Sequence, residues 1–207
     1  MAQEYARLTL LQPIKAQNDG PELHDLVIFR PTCRAMTDTL DSTRVQVQVE
    51  RFVQHAVRGL NGTGEPLKFP ATDLNAIDGS ELASVLAEMS EDADRVTLPA
   101  SGDGISEPLV YTLQHPIKMT AADDSPMLRQ IEFQGRRVAE ISEYLDARGE
   151  TAEFHSFMRA FAKPLGVSPA IITDVLIDAL DFIDYLVIRR QIMGKLVNAR
   201  RRWKRAS

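Results

Sequence analysis

Asp174, Asp178, Asp181 and Asp184 stand at steps of four, three and three residues, which sets four carboxylates along one side of any helix that carries them. Closely spaced carboxylates attract divalent cations and raise one another's pKa, so metal binding or acid–base work is the chemistry such a series could do. Ile171, Val175, Ile183 and Leu186 form a separate apolar stripe. That makes the aspartates the solvated side of an amphipathic helix, or a docking face for a basic partner. The histidines offer less. His24, His55, His115 and His155 are scattered, and none lies three or four residues from another, the spacing a helical metal site uses. Cys33 is the only cysteine, which excludes an internal disulfide and a thiolate cluster, and beside Thr32 it reads as a small helix residue. Gly62-Thr63-Gly64 begins like a phosphate loop but lacks the lysine and hydroxyl that must follow. Neither Gly-x-Ser-x-Gly nor His-Glu-x-x-His occurs. The expectation is a non-catalytic protein with no cofactor and no metal.

Charge adds a second candidate. From Tyr185 onward there are eight basic residues and no acid, so of the net −5 the rest of the chain carries −13. Arg200, Arg201, Arg202 and Trp203 with Lys204 and Arg205 could release counterions from phosphate and stack an indole on a base. The acidic body opposes that, and cations at a helix end also complement its dipole. Protein contact is therefore favoured over nucleic acid for this tail.

The elements that must position these residues are written twice. Thr9-Leu10-Leu11-Gln12-Pro13-Ile14-Lys15 returns as Thr112-Leu113-Gln114-His115-Pro116-Ile117-Lys118, at an offset of 103. Leu23 to Phe29 is answered by Met127 to Phe133, Leu40-Asp41 by Leu145-Asp146, Phe52-Val53 by Phe157-Met158, and Ile77-Asp78 by Leu180-Asp181. The offset stays between 103 and 105, as in a duplicated unit with small insertions. The expectation is an α+β protein of two similar units, each a β-hairpin packed with several helices, possessing one unit over 1–90, a linker over 91–108 and a second unit over 109–207. At 44% hydrophobic and 26% charged, 207 residues suffice for two small domains. No apolar run approaches the eighteen or so residues of a membrane span, and Met1-Ala2-Gln3-Glu4 does not open a signal peptide, so cytoplasmic residence and no membrane contact are expected.

Within the first copy, Ala6 to Leu11 and Leu23 to Phe29 read as a hairpin, and Thr32 as the cap of a short helix reaching Leu40. Val45, Val49, Phe52, Val53, Ala56, Val57 and Leu60 form one helical stripe. A turn near 72–77 precedes Asp78-Gly79-Ser80-Glu81, a capping-box-like start for a helix with Leu82, Val85, Leu86 and Met89. In the second copy, Leu109 to Leu113 and Met127 to Phe133 read as strands, Arg137 to Leu145 as a helix, and Phe154, Phe157, Met158, Phe161 and Leu165 as another helical stripe. Ser168-Pro169 looks like a cap followed by proline at the first helical position. Phe182 replaces Gly79, so the break between the last two helices is expected to vanish, leaving one helix from Pro169 toward Trp203, bent near Gly194.

On these elements the chain resembles the tail assembly chaperones of long-tailed bacteriophages of the Mu-like and P2-like group. The matching residues are Leu10 to Lys15, Phe29-Arg30-Pro31-Thr32, the helix from Val45 to Leu60 and Leu74-Asn75-Ala76-Ile77-Asp78, with Leu113 to Lys118 in the second copy. The second copy departs at Phe133-Gln134-Gly135-Arg136, where the family has a proline. The family usually has one unit per chain, and a tandem pair would place two binding surfaces on one molecule. The resemblance implies a non-catalytic protein of the host cytoplasm, absent from the finished particle. It would hold the tape measure protein soluble while tail tube subunits, a second candidate partner, polymerise around it. Candidate binding residues are Phe154, Phe157, Phe161 and Ile183 on surplus apolar stripes and Arg200, Arg201, Arg202 and Trp203 in the tail. The alternatives are a baseplate or tail-completion protein retained in the virion and a nucleic-acid-binding protein using the basic end. Self-association of the chain stays open.

Overall fold

The computed structural model describes residues 3–16, 20–98, 107–120, 122–135, 142–168 and 171–196. The fold is α+β, with two antiparallel sheets of four and three strands and seven α-helices among the described residues. No helix among them is long and apolar enough to cross a membrane. The chain divides into two compact units, Met1–Glu91 and Asp92–Ser207.

The first unit opens with β1 (Glu4–Lys15) and β2 (Glu22–Phe29), an antiparallel pair with an irregular register. Thr9 faces Asp25 and the next pair is Ile14 with Leu23, so four residues on β1 stand against one on β2. An excess of this kind bulges the longer strand and turns backbone groups out of the ladder. Helix α1 (Cys33–Leu40) starts at Thr32, whose hydroxyl accepts from the Ala35 N–H at 3.4 Å, as its type and position suggested. Helix α2 (Val45–Ala56) buries Phe52, Val53 and Ala56, then passes without a loop into β3 (Val57–Leu60), which pairs with β2. The helical stripe thus ends at Ala56 rather than Leu60. Val57 and Leu60 continue the helical spacing but are better used in the sheet, where a β-branched residue packs well. Gly59 in that strand lies so close to Leu23 that a Cβ would collide with its side chain. Strand β4 (Pro66–Lys68) closes the sheet at its edge, and Ala71–Ala76 forms a 3-10 segment that packs against β1 and α2. Helix α3 (Gly79–Arg95) then begins at Asp78, whose Oδ1 accepts from the Ser80 and Glu81 N–H groups at 2.8 and 3.3 Å. It runs beyond residue 90, so the segment read as a linker starts within a helix.

In the second unit β5 (Leu109–Lys118) pairs with β6 (Met127–Phe133). Thr112 faces Gln130 and Ile117 faces Leu128, again four residues against one. Helix α4 (Ser142–Asp146) covers the end of the expected helix from Arg137 to Leu145, of which 137–141 lies outside the described residues. Helix α5 (Glu150–Phe161) runs into β7 (Ala162–Leu165), the partner of β6. The stripe to Leu165 therefore stops at Phe161, and Pro164, which cannot donate within a helix, is accommodated in an edge strand.

The last segment departs most from expectation. No single helix begins at Ser168-Pro169: α6 (Asp174–Asp178) is capped by Thr173, and α7 (Phe182–Val187) is capped afresh by Asp181, whose Oδ1 accepts from the Ile183 N–H at 2.9 Å. Losing the glycine did not lose the break, because the cap is supplied by the aspartate before it. The irregularity further on is a π-helical stretch over Ile188–Ile192 rather than a bend near Gly194. Every residue from Phe182 to Ile188 is buried, so α7 has no wet face.

Candidate functional site

The four aspartates do not form one row. With a cap between α6 and α7, they divide into two pairs, each facing a histidine. Asp174 and Asp178, one turn apart on α6, flank His155 of α5. Its Nδ1 is 3.4 Å from Asp174 Oδ1, and its Nε2 is 3.0 Å from Asp178 Oδ1, the latter outside hydrogen-bond geometry. Arg159, one turn further along α5, donates to Asp174 Oδ1 at 2.7 Å and approaches Glu143 of α4 at 3.6 Å. Thus α4, α5 and α6 are tied by charges on one flank of the second unit.

Asp181 and Asp184 belong to the bulge of β5. Asp184 is fully buried: its Oδ1 accepts from the Tyr111 hydroxyl at 2.7 Å and the Gln114 N–H at 2.8 Å, and its Oδ2 accepts from the His115 N–H at 3.1 Å. The two amides lie in the bulge, and the carboxylate gives these part-buried backbone groups the partners the ladder does not. Burial pushes the Asp184 carboxyl above the ordinary carboxylate range, against the opposing pull of these donors. Burial likewise pushes the Tyr111 hydroxyl well above its usual value, and the adjacent Asp184 charge adds to this. The sequence expectation that Asp184 faces water is therefore overturned. Its spacing matches a solvated stripe, but the second cap rotates it inward.

His115 Nδ1 lies 3.5 Å from Asp181 Oδ1, and one ligand atom from each of His115, Asp181 and Asp184 lies within 4.8 Å of the others. A cation there would compete with the N–H bonds that hold the bulge and with the cap of α7, so the donor set fits a structural clasp better than a metal centre. A further cluster braces the end of α7. Glu150 Oε1 accepts from Tyr185 Oη at 2.6 Å and from Arg189 Nε at 2.8 Å, and the same guanidinium reaches Glu153 at 3.1 Å.

Phe154, Phe157, Phe161 and Ile183, named as candidate partner residues, are core residues of the second unit. Phe157 stacks on Phe161 with ring centroids 4.9 Å apart, and Phe154 meets Tyr185 edge-on at 4.8 Å. Their stripe is covered in this structure and leaves them no exposed apolar face. Arg200, Arg201, Arg202 and Trp203 lie outside the described residues.

Sequence reasoning passed over a cleft in the first unit. It measures about 830 Å³ and runs between α2 and the segment from β4 through the 3-10 turn. Gln46, Glu50 and Gln54, one turn apart along α2, form one wall, and Phe69, Leu74 and Asn75 stand opposite. Gln46 donates to Glu50 Oε1 at 3.0 Å. Three polar residues at helical spacing look like an ordinary solvated face, and only the fold sets a second wall before them. Comparison with family models, with curated proteins and with solved structures finds no match to this chain.

Proposed function

We propose that the chain is a tail assembly chaperone of a long-tailed bacteriophage, built as a tandem duplication of one small unit, and that it binds the tape measure protein without catalysing a reaction. The observation that carries this reading is the pair of matching bulges. In each unit the Leu-x-x-Pro-Ile-Lys element sits where four residues of the first strand stand against one of the second. In each, a helix then runs directly into the third strand of the sheet, from Ala56 to Val57 and from Phe161 to Ala162. An irregularity repeated at the same motif is a stronger sign of common descent than a repeated regular strand, because nothing in generic strand pairing requires it. The motif that recurs is also the one on which the family resemblance rests.

The reading places the protein in the host cytoplasm, bound to the long tape measure chain until tube subunits enclose it, with the tube protein as a second contact. It is tested by co-expressing the chain with the tape measure protein of its own gene cluster. Soluble client that co-purifies at moderate salt is the expected result, together with absence of this chain from purified particles by mass spectrometry. Client that stays insoluble and unbound beside well-folded chain overturns it, and recovery of the chain in virions moves the baseplate or tail-completion reading ahead.

A further inference from the structure

The repeat sets α2 against α5 at an offset of 105, and the stretch after the third strand against its counterpart at 103, as Phe52 with Phe157 and Asp78 with Asp181 show. On that scale Glu50 stands where the second unit has His155, Gln54 where it has Arg159, and Asn75 where it has Asp178. In the second unit these positions are tied together across the seam between α5 and α6 by the contacts of His155 and Arg159 with Asp174 and Asp178. In the first unit the same seam opens into the cleft of about 830 Å³. Two copies of one seam thus carry different chemistry: oppositely charged side chains held in contact in one, amides with Glu50 and Lys68 around open space in the other.

Building on the chaperone reading, we propose that the cleft of the first unit seats the client, taking a short basic peptide segment of the tape measure protein, while the seam of the second unit is closed by the Arg159–Asp174 ion pair and the approach of His155 to Asp174 and Asp178. A volume of about 830 Å³ falls in the range, roughly 300–1,000 Å³, of cavities that enclose most of a small ligand, here a few residues of a peptide. Leu74, half-buried in the opposite wall, supplies apolar surface for one side chain. Gln46, Gln54 and Asn75 each offer a donor and an acceptor, the pair of functions that matches the N–H and C=O of an incoming backbone. Glu50, in the middle of the α2 wall, offers a carboxylate to a lysine or arginine; Lys68 also lines the cleft, so the preference for a basic segment comes from the net charge of the whole unit. The surroundings agree in sign: residues 1–91 hold thirteen acidic and eight basic side chains, a field that draws a basic segment in.

The test uses the full chain co-expressed with the tape measure protein and reads the client recovered per chain at moderate salt. Thr72, an exposed residue lining the cleft, is replaced by a ring that fills it (Thr72→Trp), and its counterpart Val175, 76% exposed on α6, receives the same change (Val175→Trp). The proposal expects Thr72→Trp to lower recovered client about ten-fold with an unchanged melting temperature, and Val175→Trp to match the unaltered chain. Glu50→Lys, which keeps the helix and reverses the charge, is expected to lower recovery similarly, and serves if Thr72→Trp fails to fold. Full recovery with a folded Thr72→Trp or Glu50→Lys chain overturns the proposal, as does an equal loss with Val175→Trp. If the unaltered chain recovers no client, the chaperone reading itself falls, and that outcome is visible before any variant is compared.

Discussion

The bulge of β5 and the bulge of β1 share a register and differ in what answers them. In the second unit a buried carboxylate, Asp184, takes both amides of the bulge and the Tyr111 hydroxyl, and α7 packs onto β5. In the first unit the corresponding positions are Glu81, exposed in the first turn of α3, and Leu8, while Leu11, Gln12 and Pro13 of the bulge are exposed. There the 3-10 segment packs on β1. The difference teaches that one backbone device can serve two ends. Closed by a buried acid it fixes a helix against a sheet, and left open it presents strand edge and loop to solvent. The seams beside the two bulges divide in the same sense, one ion-paired and one cleft-like. The second unit thus resembles a stabilised scaffold and the first an accessible surface.

The comparison breaks most sharply at Asp184. Asp184→Ala leaves a buried hydroxyl and two part-buried amides without their acceptor, and is expected to destabilise the second unit by about 3 kcal/mol, measured by urea unfolding followed by circular dichroism. A loss below about 1 kcal/mol would mean that the bulge is not held by this carboxylate. Arg189→Ala removes a two-pronged contact with Glu150 and the contact with Glu153, and about 2 kcal/mol is expected in the same assay. Tyr111→Phe sharpens the comparison through pH. Because the folded state holds the Tyr111 proton above the ordinary value of 10.0, its contribution is complete below pH 10 and is lost as pH rises further. The unaltered chain should lose about 1.4 kcal/mol per pH unit more than the Tyr111→Phe chain above pH 10, while the two slopes agree between pH 7 and 9. Glu81→Ala, the counterpart of Asp184→Ala in the first unit, should leave the urea midpoint unchanged. A large loss there would erase the distinction between the units.

Much of the framework was legible because it rests on local rules. Thr32 and Asp78 act at the helix starts their types announce, and both hairpins follow the apolar runs that suggested them. What was not legible depends on competition between elements. Val57 and Leu60 keep helical spacing yet join a sheet, because pairing with β2 outweighs one more turn of α2. Asp184 keeps the spacing of a solvated stripe yet is buried, because a cap at Asp181 resets the helix phase. The stripe of Phe154, Phe157 and Phe161 is wide enough to suggest surplus apolar surface, but α5 is covered along that side. The cleft left only three polar residues in the sequence, and no periodicity distinguishes a wall of a cleft from an ordinary exposed face.

Hydrogen exchange of the chain alone and in complex with the tape measure protein tests the division of labour most directly. The account predicts slowed exchange on binding over 46–56 in α2 and 66–77 across the cleft, with exchange over 150–161 and 172–178 in the second unit unchanged. Protection centred on α5 and α6, or spread equally over both units, would contradict it.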